Sequence, residues 1–407
     1  MILSKIWSAS AALVTVVGAA PASTVNYKNT TSSKDHYANN VFLAASALQG
    51  FWYSNSTGLW DNAWWNSGNA LTTLADWARL RPADAKRLKI ADIIRNTWTQ
   101  AQKVSVVTTK TQMSDGMVRT QDCVNGQGTG CGAAAAAGLQ SRAFRDFINE
   151  YYDDEGWWAL GLIHAYDYTH CQEYLDSAVR IFNDMQGGGG TNCSGGIYWS
   201  KERTYVNAIA NELYLSVAAA LANRVPSDKA MYTRIAKMQW TWFAKSGMIN
   251  ADNLINDGLD SQCRNNRAHT WTYNQGVVLG GLVELYKATG NHDYLHRANS
   301  LAAASMKKLV NGNGILVDGC EHNDGHCGAD GAQFKGVYAR NLRYLNDVAP
   351  SRNIKKFLTH NADSIWSKDR DEDSNKLGVA WDGPLYKPIG NAHSSAMDAL
   401  VGAVAVA

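Results

Sequence analysis

The feature of this sequence that most constrains its fold is a short helical pattern that returns about every 60 residues. In each copy an aromatic residue or arginine precedes leucine or threonine, and an alanine follows after two variable positions. The copies begin at Arg87, Tyr174, Tyr232, Tyr294 and, with its alanine one residue later, Phe357. The last four starts are 58, 62 and 63 residues apart, which is long enough for two helices and their loops. Each repeat is therefore interpreted as a helical hairpin.

Helical periodicity extends over almost the whole chain, and alternating β-branched residues are nearly confined to residues 103–109. Residues 23–407 hold about six repeats of this length, which predicts one all-α domain whose six hairpins close into an (α/α)6 barrel. An open helical solenoid is the alternative, but it would need polar capping repeats at both ends. The C-terminal SSAMDALVGAVAVA is too apolar for such a cap. We expect it to be a last helix that packs against the first.

Residues 1–22 have the organisation of a secretory signal peptide. Lys5 precedes a mostly apolar run, and the Ala-Pro-Ala that ends the segment fits a small-residue cleavage site. Glycosylation sequons at Asn29 and Asn55, with a nominal third at Asn192, agree with secretion. A buried N-terminal helix is the weaker alternative, because the apolar run is short. The sequence thus predicts a secreted glycoprotein, extracellular or associated with the cell wall.

The chain contains seven cysteines, and an oxidising compartment favours their pairing. Two pairs flank short loops, VNGQGTG and EHNDGH, and look like local staples. The predicted arrangement is Cys123 with Cys131, Cys320 with Cys327, Cys193 with Cys263 by elimination, and Cys171 as the free thiol.

A metal site is the alternative for the second of these loops. His322 and His326 are four residues apart, with Glu321 and Asp324 beside them, but that spacing aligns ligands only on a helix. The intervening Asn-Asp-Gly is typical of a turn. The sequence therefore predicts no metal and no cofactor.

Charge and hydropathy exclude two further classes of protein. A formal net charge of +2, without a run of basic residues, lacks the electrostatic footprint of a nucleic-acid binder. After residue 22 no stretch of about 18 to 20 uncharged apolar residues occurs, so no membrane span is predicted. The apolar tail after Asp398 is also short for a lipid-anchor signal. We expect a monomer without nucleic-acid or membrane partners.

Residues 149–158, NEYYDDEGWW, form the strongest catalytic candidate, because three acids abut between four aromatic residues. A helix N-terminus would explain one aspartate as a cap in a favourable dipole, but not the second aspartate or the aromatic flanks. Glycoside hydrolysis needs two carboxyl groups in different protonation states. The helix dipole favours ionisation of one aspartate, and that charge raises the pKa of its neighbour. Adjacent carboxyls also suit the short separation of retaining enzymes, so retention of configuration is predicted.

Five other segments have the composition of a sugar-binding cleft, in which Trp and Tyr faces stack on pyranose rings and polar side chains bond their hydroxyls. They are residues 59–66, 195–199, 207–212, 255–259 and 271–276. Core packing at helix ends is the alternative for any one segment, but a barrel brings one end of every hairpin to a single funnel. A Ser/His/Asp mechanism is disfavoured because the chain has no G-x-S-x-G elbow.

The sequence resembles glycoside hydrolase family 76, which consists of secreted α-1,6-mannanases with an (α/α)6 barrel. The resemblance covers roughly residues 40–405, and the blocks that carry it are YYDDEGWWAL, NAIANELYL, SGMINADNLINDGL, WTYNQGVVLGGLVELY and FKGVYARNL. It implies that Asp153 is the nucleophile and Asp154 the general acid/base. It also implies substrate contacts at Asn207, Asp257, Trp271, Tyr273, Asn274 and Gln275. The composition of the cleft segments adds Trp65 and Asn66, and the aromatic flanks of the acidic motif add Tyr152 and Trp157.

The expected activity is therefore endo-hydrolysis of α-1,6-mannosidic bonds in mannan or manno-oligosaccharides. The alternative is a cell-wall transglycosidase that acts on α-mannan or mannose-containing anchor glycans, because relatives with that proposed role share the two aspartates. Those relatives are usually membrane anchored, and the missing anchor signal favours hydrolysis. The Ala-rich CGAAAAAGLQSRAF ahead of the acidic motif is a departure from the family pattern.

Overall fold

Helices make up most of the computed structural model, which describes residues 33–112, 118–128, 130–136, 138, 140–321 and 327–407. The predicted signal peptide, the sequon at Asn29 and the two loop histidines, His322 and His326, lie outside the described residues. The helices within them are α1 Ser33–Trp52, α2 Trp64–Leu80, α3 Pro82–Arg87, α4 Ile90–Gln100, α5 Cys131–Ala136, α6 Tyr152–Thr169, α7 Gln172–Met185, α8 Ala208–Arg224, α9 Lys229–Phe243, α10 Thr272–Thr289, α11 Asp293–Lys308, α12 Gly328–Val348, α13 Arg352–Lys368 and α14 Gly390–Val406.

Six of these helices form a closed inner ring. In this ring α2 packs on α6, and the contacts continue through α8, α10, α12 and α14 back to α2. The outer layer consists of α4 against α2, α7 against α6, α9 against α8, α11 against α10, and α13 and α1 against α14. The (α/α)6 barrel predicted from the repeat is confirmed, and the apolar C-terminal helix lies against the first helix as expected.

The repeated sequence pattern marks the outer helices. Its last four copies lie in α7, α9, α11 and α13, and the first spans the end of α3 and the start of α4. The alanines of those four copies, Ala178, Ala236, Ala298 and Ala362, are fully buried. A small side chain at this position lets each outer helix approach the inner ring closely.

The inner helices are buried on nearly all sides, as expected for helices that lack a polar face. Glycines allow their backbones to come close together. A Cβ on Gly276 of α10 would lie 2.6 Å from the Cα of Tyr338, and one on Gly336 of α12 would lie 2.4 Å from the Cα of Ser395. This close packing fixes the positions of the helix N-termini, which all contribute to one end of the barrel.

A β-hairpin crosses that end of the barrel. It pairs β3, Ser105–Gln112, with β4, Val118–Val124, antiparallel, and β5, Arg142–Ala143, adds to β3. A second small hairpin joins β1, Tyr53–Ser54, to β2, Leu59–Trp60. The strand predicted from the β-branched residues at 103–109 is thus part of the larger hairpin.

Carboxylates attach the larger hairpin to the inner ring. Asp122 of β4 accepts hydrogen bonds from the backbone N of Trp64 at the start of α2 (2.7 Å) and from the Thr108 hydroxyl of β3 (2.7 Å). Asp330 of α12 accepts one from the backbone N of Thr120 (2.6 Å). Because both attachments are made at helix N-termini, they fix the position of the hairpin over this end of the barrel.

The cysteines are paired as predicted. The disulfides are Cys123 with Cys131, Cys193 with Cys263 and Cys320 with Cys327, and Cys171 is a free thiol.

Replacement of both Cys193 and Cys263 by serine is expected to destabilise the fold more than the same change at Cys123 and Cys131. A disulfide acts mainly by restricting the unfolded chain, and these two bonds close loops of 70 and 8 residues. The loop-entropy relation gives losses in the free energy of unfolding of about 4 and about 2.5 kcal/mol. Urea denaturation of the two double variants measures the difference, and a larger loss for the short loop would contradict this account.

Candidate active site

The N-terminal ends of the inner helices surround a narrow cleft. Its walls are formed by Trp65, Lys110, Val118, Thr120, Asp153, Trp157, Trp199, Tyr205, Asn207, Asp257, Trp271, Tyr273, Asp330 and Phe334. The acidic motif and all five of the segments predicted from their composition contribute to this wall. The positive ends of the helix dipoles point toward it, which favours the carboxylates it contains.

The two candidate aspartates lie in the first turn of α6. The N-cap of this helix is Tyr151, and none of the neighbouring acids caps it, so capping does not account for the acids. Asp153 faces the cleft with 11% of its side chain exposed, whereas the side chain of Asp154 is 1% exposed. Successive helical residues point about 100° apart, which explains why two adjacent carboxyls differ in burial.

A lysine from the hairpin contacts both aspartates. The Nζ of Lys110 on β3 lies 2.6 Å from Oδ1 of Asp154 and 3.3 Å from Oδ2 of Asp153. The other oxygen of Asp154 accepts a hydrogen bond from Nδ2 of Asn149 at 2.7 Å. Since both carboxyls contact one ammonium group, their nearest oxygens are at most about 6 Å apart, which is compatible with the short separation in retaining glycosidases.

Burial and neighbouring charges shift the pKa values of the ionisable groups at the cleft. Burial, together with the negative charge of Asp153, raises the pKa of Asp154 to about 8, although Lys110 acts in the opposite direction. Burial also raises the pKa of Asp257 and of Asp330 to about 6. For Lys110, burial alone would lower the pKa, but the charges of the two aspartates outweigh it and raise the value. Asp154 is thus suited to hold a proton near neutral pH while its cationic neighbour stays charged.

Stacked aromatic rings form one side of the cleft. The ring of Trp157 lies 5.9 Å from Trp65 and 6.3 Å from Tyr273, with interplanar angles of 27° and 24°. Tyr273 in turn stacks on Phe334 at 3.9 Å. Trp65 and Trp157 are only 5% and 2% exposed, so Tyr273, which is half-buried, is the ring of this row best placed to pack against the apolar face of a sugar ring.

Polar groups occupy another part of the wall. Asp257 accepts a hydrogen bond from the hydroxyl of Tyr205, and its backbone oxygen accepts one from the backbone N of Ala208 at 2.7 Å. Asn207 caps α8 by accepting a hydrogen bond from the backbone N of Ala210 at 3.3 Å. These contacts hold a carboxylate and an amide at the cleft, where hydroxyl groups of a sugar can bind.

The structure does not bring four of the predicted substrate contacts to the cleft wall. Asn66 donates a hydrogen bond to Gln333 at 2.9 Å, and Tyr152 packs beneath the loop that follows α7. Gln275 hydrogen bonds with the backbone N and O of Ile255 at 2.8 and 2.9 Å, so it supports the loop that carries Asp257. Asn274 is fully buried, without a hydrogen-bond partner for its side chain among the described residues.

Several wall residues were not predicted from the sequence. They are Lys110, Val118, Thr120, Tyr205, Asp330 and Phe334. The β-branched alternation before Lys110 indicates a strand but not that the strand crosses the barrel mouth. Phe334 begins one of the blocks that carry the family resemblance, and this was a usable signal. A lone aspartate such as Asp330 near a helix start gives none.

A larger cavity of about 380 Å³ lies at the opposite end of the barrel, between the C-terminal halves of the inner helices. Two of its three described carboxylates are closely paired with arginine: Asp76 with Arg343 at 2.6 Å, and Glu284 with Arg224 at 2.8 Å. In both cases the arginine outweighs burial and lowers the pKa of the carboxyl. Burial raises the pKa of the third carboxyl, Asp347, but among the described residues no two acids adjacent in the chain line this cavity. The cleft therefore has the closely spaced pair of carboxyls that glycoside hydrolysis needs.

The described part of the chain has no helix that is both long and apolar enough to span a membrane.

Comparison with known proteins identifies one family. The model of glycosyl hydrolase family 76 matches residues 36–402. Mannan endo-1,6-alpha-mannosidase DFG5 from Candida albicans is 23% identical over 333 residues, covering 75% of this chain and 65% of the relative. A putative mannan endo-1,6-alpha-mannosidase from Schizosaccharomyces pombe is 28% identical over 214 residues, covering 49% and 48%. The chain thus spans about half to two thirds of the length of these curated relatives.

Two solved structures illustrate the shared fold. One is an inactive variant of the α-1,6-mannanase of Salegentibacter sp. in complex with α-1,6-mannotriose, in which two adjacent aspartates are replaced by asparagine. It has a TM-score of 0.70 and 16% identity, covering 91% of this chain and all of the other. The other is Dfg5 from Chaetomium thermophilum in complex with glucosamine, with a TM-score of 0.71, 16% identity and coverage of 93% and 92%.

Proposed function

The chain belongs to glycosyl hydrolase family 76, and we propose that it is a mannan endo-1,6-α-mannosidase that cleaves α-1,6-mannosidic bonds with retention of configuration. The observation that carries this proposal is the pair of adjacent carboxyls at the start of α6, both in contact with one ammonium group and differing in burial. A retaining glycosidase needs a charged and a protonated carboxyl at this short separation.

The different environments of the two aspartates support their separate roles. Asp153 lines the cleft, where its carboxylate can attack the anomeric carbon and form a covalent mannosyl-enzyme. Asp154, whose pKa is raised to about 8, holds the proton that the leaving oxygen requires. In the second step Asp154 takes a proton from water, and the hydroxide released in this way displaces Asp153 from the sugar. Two inversions at the same carbon restore the α configuration.

The rest of the cleft supports a mannose chain as the substrate. The half-buried ring of Tyr273 provides an apolar face at the cleft, with Trp65 and Trp157 stacked behind it, and Asn207 and Asp257 provide hydrogen-bonding groups. The proposed linkage follows from the curated relatives, which are named for activity on α-1,6-mannan.

We further propose that the protein works as a secreted glycoprotein. Three disulfides support an oxidising compartment. The sequon residues Asn55 and Asn192 are exposed, so both are accessible to a glycan.

Incubation with linear α-1,6-mannan tests the proposed function. We expect a progressive shift to short manno-oligosaccharides, because a hydrolase passes the mannosyl intermediate to water. Mass spectrometry of the products, with linear α-1,2-mannan as the control substrate, measures chain length and linkage preference. Products longer than the substrate would instead show transfer to a second sugar, and an unchanged polymer would contradict the proposed activity.

A further inference from the structure

The side chain of Lys110 is buried in the wall of the cleft. It is 3% exposed, and its Nζ lies 4.4 Å from the ring centre of Tyr151 and 5.3 Å from that of Trp199. Aromatic faces at these distances favour a cation. The ammonium therefore has a defined position between two rings and two carboxyls.

The hairpin that carries Lys110 is anchored to the barrel through β4, to which β3 is bonded. Thr108 of β3 donates to Asp122, which also accepts from the backbone of α2, and β4 is held by Asp330 of α12. In the paired register Lys110 lies opposite Thr120, whose backbone N makes that bond to Asp330. The Cys123–Cys131 disulfide closes the far end of β4. The position of Lys110 thus follows from contacts that do not involve Asp153 or Asp154.

We infer that Lys110 is a positioning residue that balances whichever of the two aspartates carries the negative charge during the reaction. This inference rests on the proposed function, because it uses the nucleophile and acid/base roles given above. The balancing cation comes from the chain itself.

The charge balance of each step explains why one cation contacts both carboxyls. Before reaction Asp153 is ionised and Asp154 holds a proton, so one negative charge faces one ammonium. When the bond from Asp153 to the anomeric carbon forms and the glycosidic bond breaks, the proton of Asp154 goes to the leaving oxygen. Asp153 is then a neutral ester and Asp154 a carboxylate, so again one negative charge faces Lys110. Attack by water reverses both changes.

Other ionisable groups also act on this cluster and remain when Lys110 is replaced. They are Asp122 on β4, Asp330 on α12, Asp257 in the loop before α10, Tyr151 at the start of α6 and Glu202 in the loop before α8. All of these are acids, and a basic neighbour, His269, acts on Asp257. Without the ammonium the buried pair would therefore hold its proton more tightly, which predicts the direction of the pH effect.

Replacement of Lys110 by glutamine or methionine tests the inference. Activity is lost at high pH when Asp154 loses its proton. If the variant holds this proton more tightly, the basic limb of the kcat/KM profile moves to higher pH, by about one to two units. We also expect kcat on mannan to fall about tenfold or more, since Asp154 becomes a weaker acid. Lys110→Arg keeps the charge and should leave the basic limb within a few tenths of a unit of its original position.

Lys201→Met is the matched control. Lys201 pairs with Glu155 at 3.1 Å and Asp184 at 2.8 Å, so its removal also breaks ion pairs at the start of α6. It lies outside the cleft wall, and its loss should not move the basic limb. A limb that stays in place in both Lys110 variants, or that moves equally in Lys201→Met, would overturn the inference.

A titration that needs no substrate separates this inference from the proposed function. Carbon-13 NMR of protein labelled at the aspartate carboxyls, with Asp154→Asn to assign the signal, follows protonation directly. We expect the Asp154 signal to titrate at higher pH in Lys110→Gln than in the unmodified protein. An unchanged titration would refute the role of Lys110 even in an active mannanase, whereas an inactive protein with the expected shift would refute only the proposed function.

Discussion

Asparagine in place of Asp153 or of Asp154 is expected to lower kcat/KM on α-1,6-mannan by at least about 1,000-fold. Each change removes one carboxyl from a two-carboxyl mechanism, and acid/base groups and nucleophiles commonly contribute factors of this size or larger. Both variants should fold, because asparagine has the same shape and its carbonyl oxygen can still accept the hydrogen bond from Lys110. Asp154→Asn also loses the hydrogen bond from Asn149, so its melting temperature should be the lower of the two. Initial rates measure the loss, and thermal denaturation verifies the fold.

Glu155→Gln is the control for this pair of variants. Glu155 follows Asp154 in the same helical turn and is equally buried, but it contacts Lys201 rather than the cleft. Its amide variant should therefore keep most of the activity. Substantial activity in either aspartate variant, with the control also active, would show that the reaction does not use these two carboxyls.

Removal of the Asp154 side chain is expected to affect substrates according to their leaving groups. Asp154→Ala should slow mannan cleavage by about 1,000-fold or more, because the departing sugar hydroxyl needs a proton. Hydrolysis of a dinitrophenyl α-mannoside should be slowed far less in its first step, since that leaving group departs without protonation. Asp153→Ala should be inactive on both substrates, because the attacking carboxylate is absent. Pre-steady-state release of dinitrophenol measures the first step.

The anomer of the first product provides a second readout of the same roles. If Asp153 forms a covalent intermediate, proton NMR before mutarotation should show the α-anomer. A β-anomer would mean a single displacement by water and would exclude Asp153 as the nucleophile. Equal slowing of both substrates in Asp154→Ala would likewise argue against Asp154 as the acid.

Much of the fold could be predicted because it depends on local and periodic information. The alanine in each repeat indicates the buried face of an outer helix, and the structure places those of the last four repeats at full burial. The two loop disulfides join cysteines only 8 and 7 residues apart, so proximity along the chain was sufficient. The Cys193–Cys263 pair followed only by elimination, since it joins separate hairpins.

The site was predicted in part. The segments that line the cleft could be recognised because a barrel brings the same end of every hairpin together, but the residues within a segment could not be ranked. Asn274 and Tyr273 are neighbours at the start of α10, yet Tyr273 lines the cleft and Asn274 is buried. A step of one residue turns a helical side chain by about 100°, so the packing of the helix decides which of the two faces the substrate.

The sequence by itself therefore determined the helical hairpins and the adjacent aspartates at a helix start, since each depends on residues close together in the chain. Closure into a barrel joins the two ends of the chain, and it could be predicted from the number of repeats and the apolar last helix. Only the tertiary structure decided which aspartate is exposed, and that Lys110 contacts both. Asp153 and Lys110 are separated by 43 residues, and their contact depends on the register of the β3–β4 hairpin and its attachment to α2 and α12. No local pattern encodes that attachment, because hydrogen bonds between distant segments form only once the inner helices are packed.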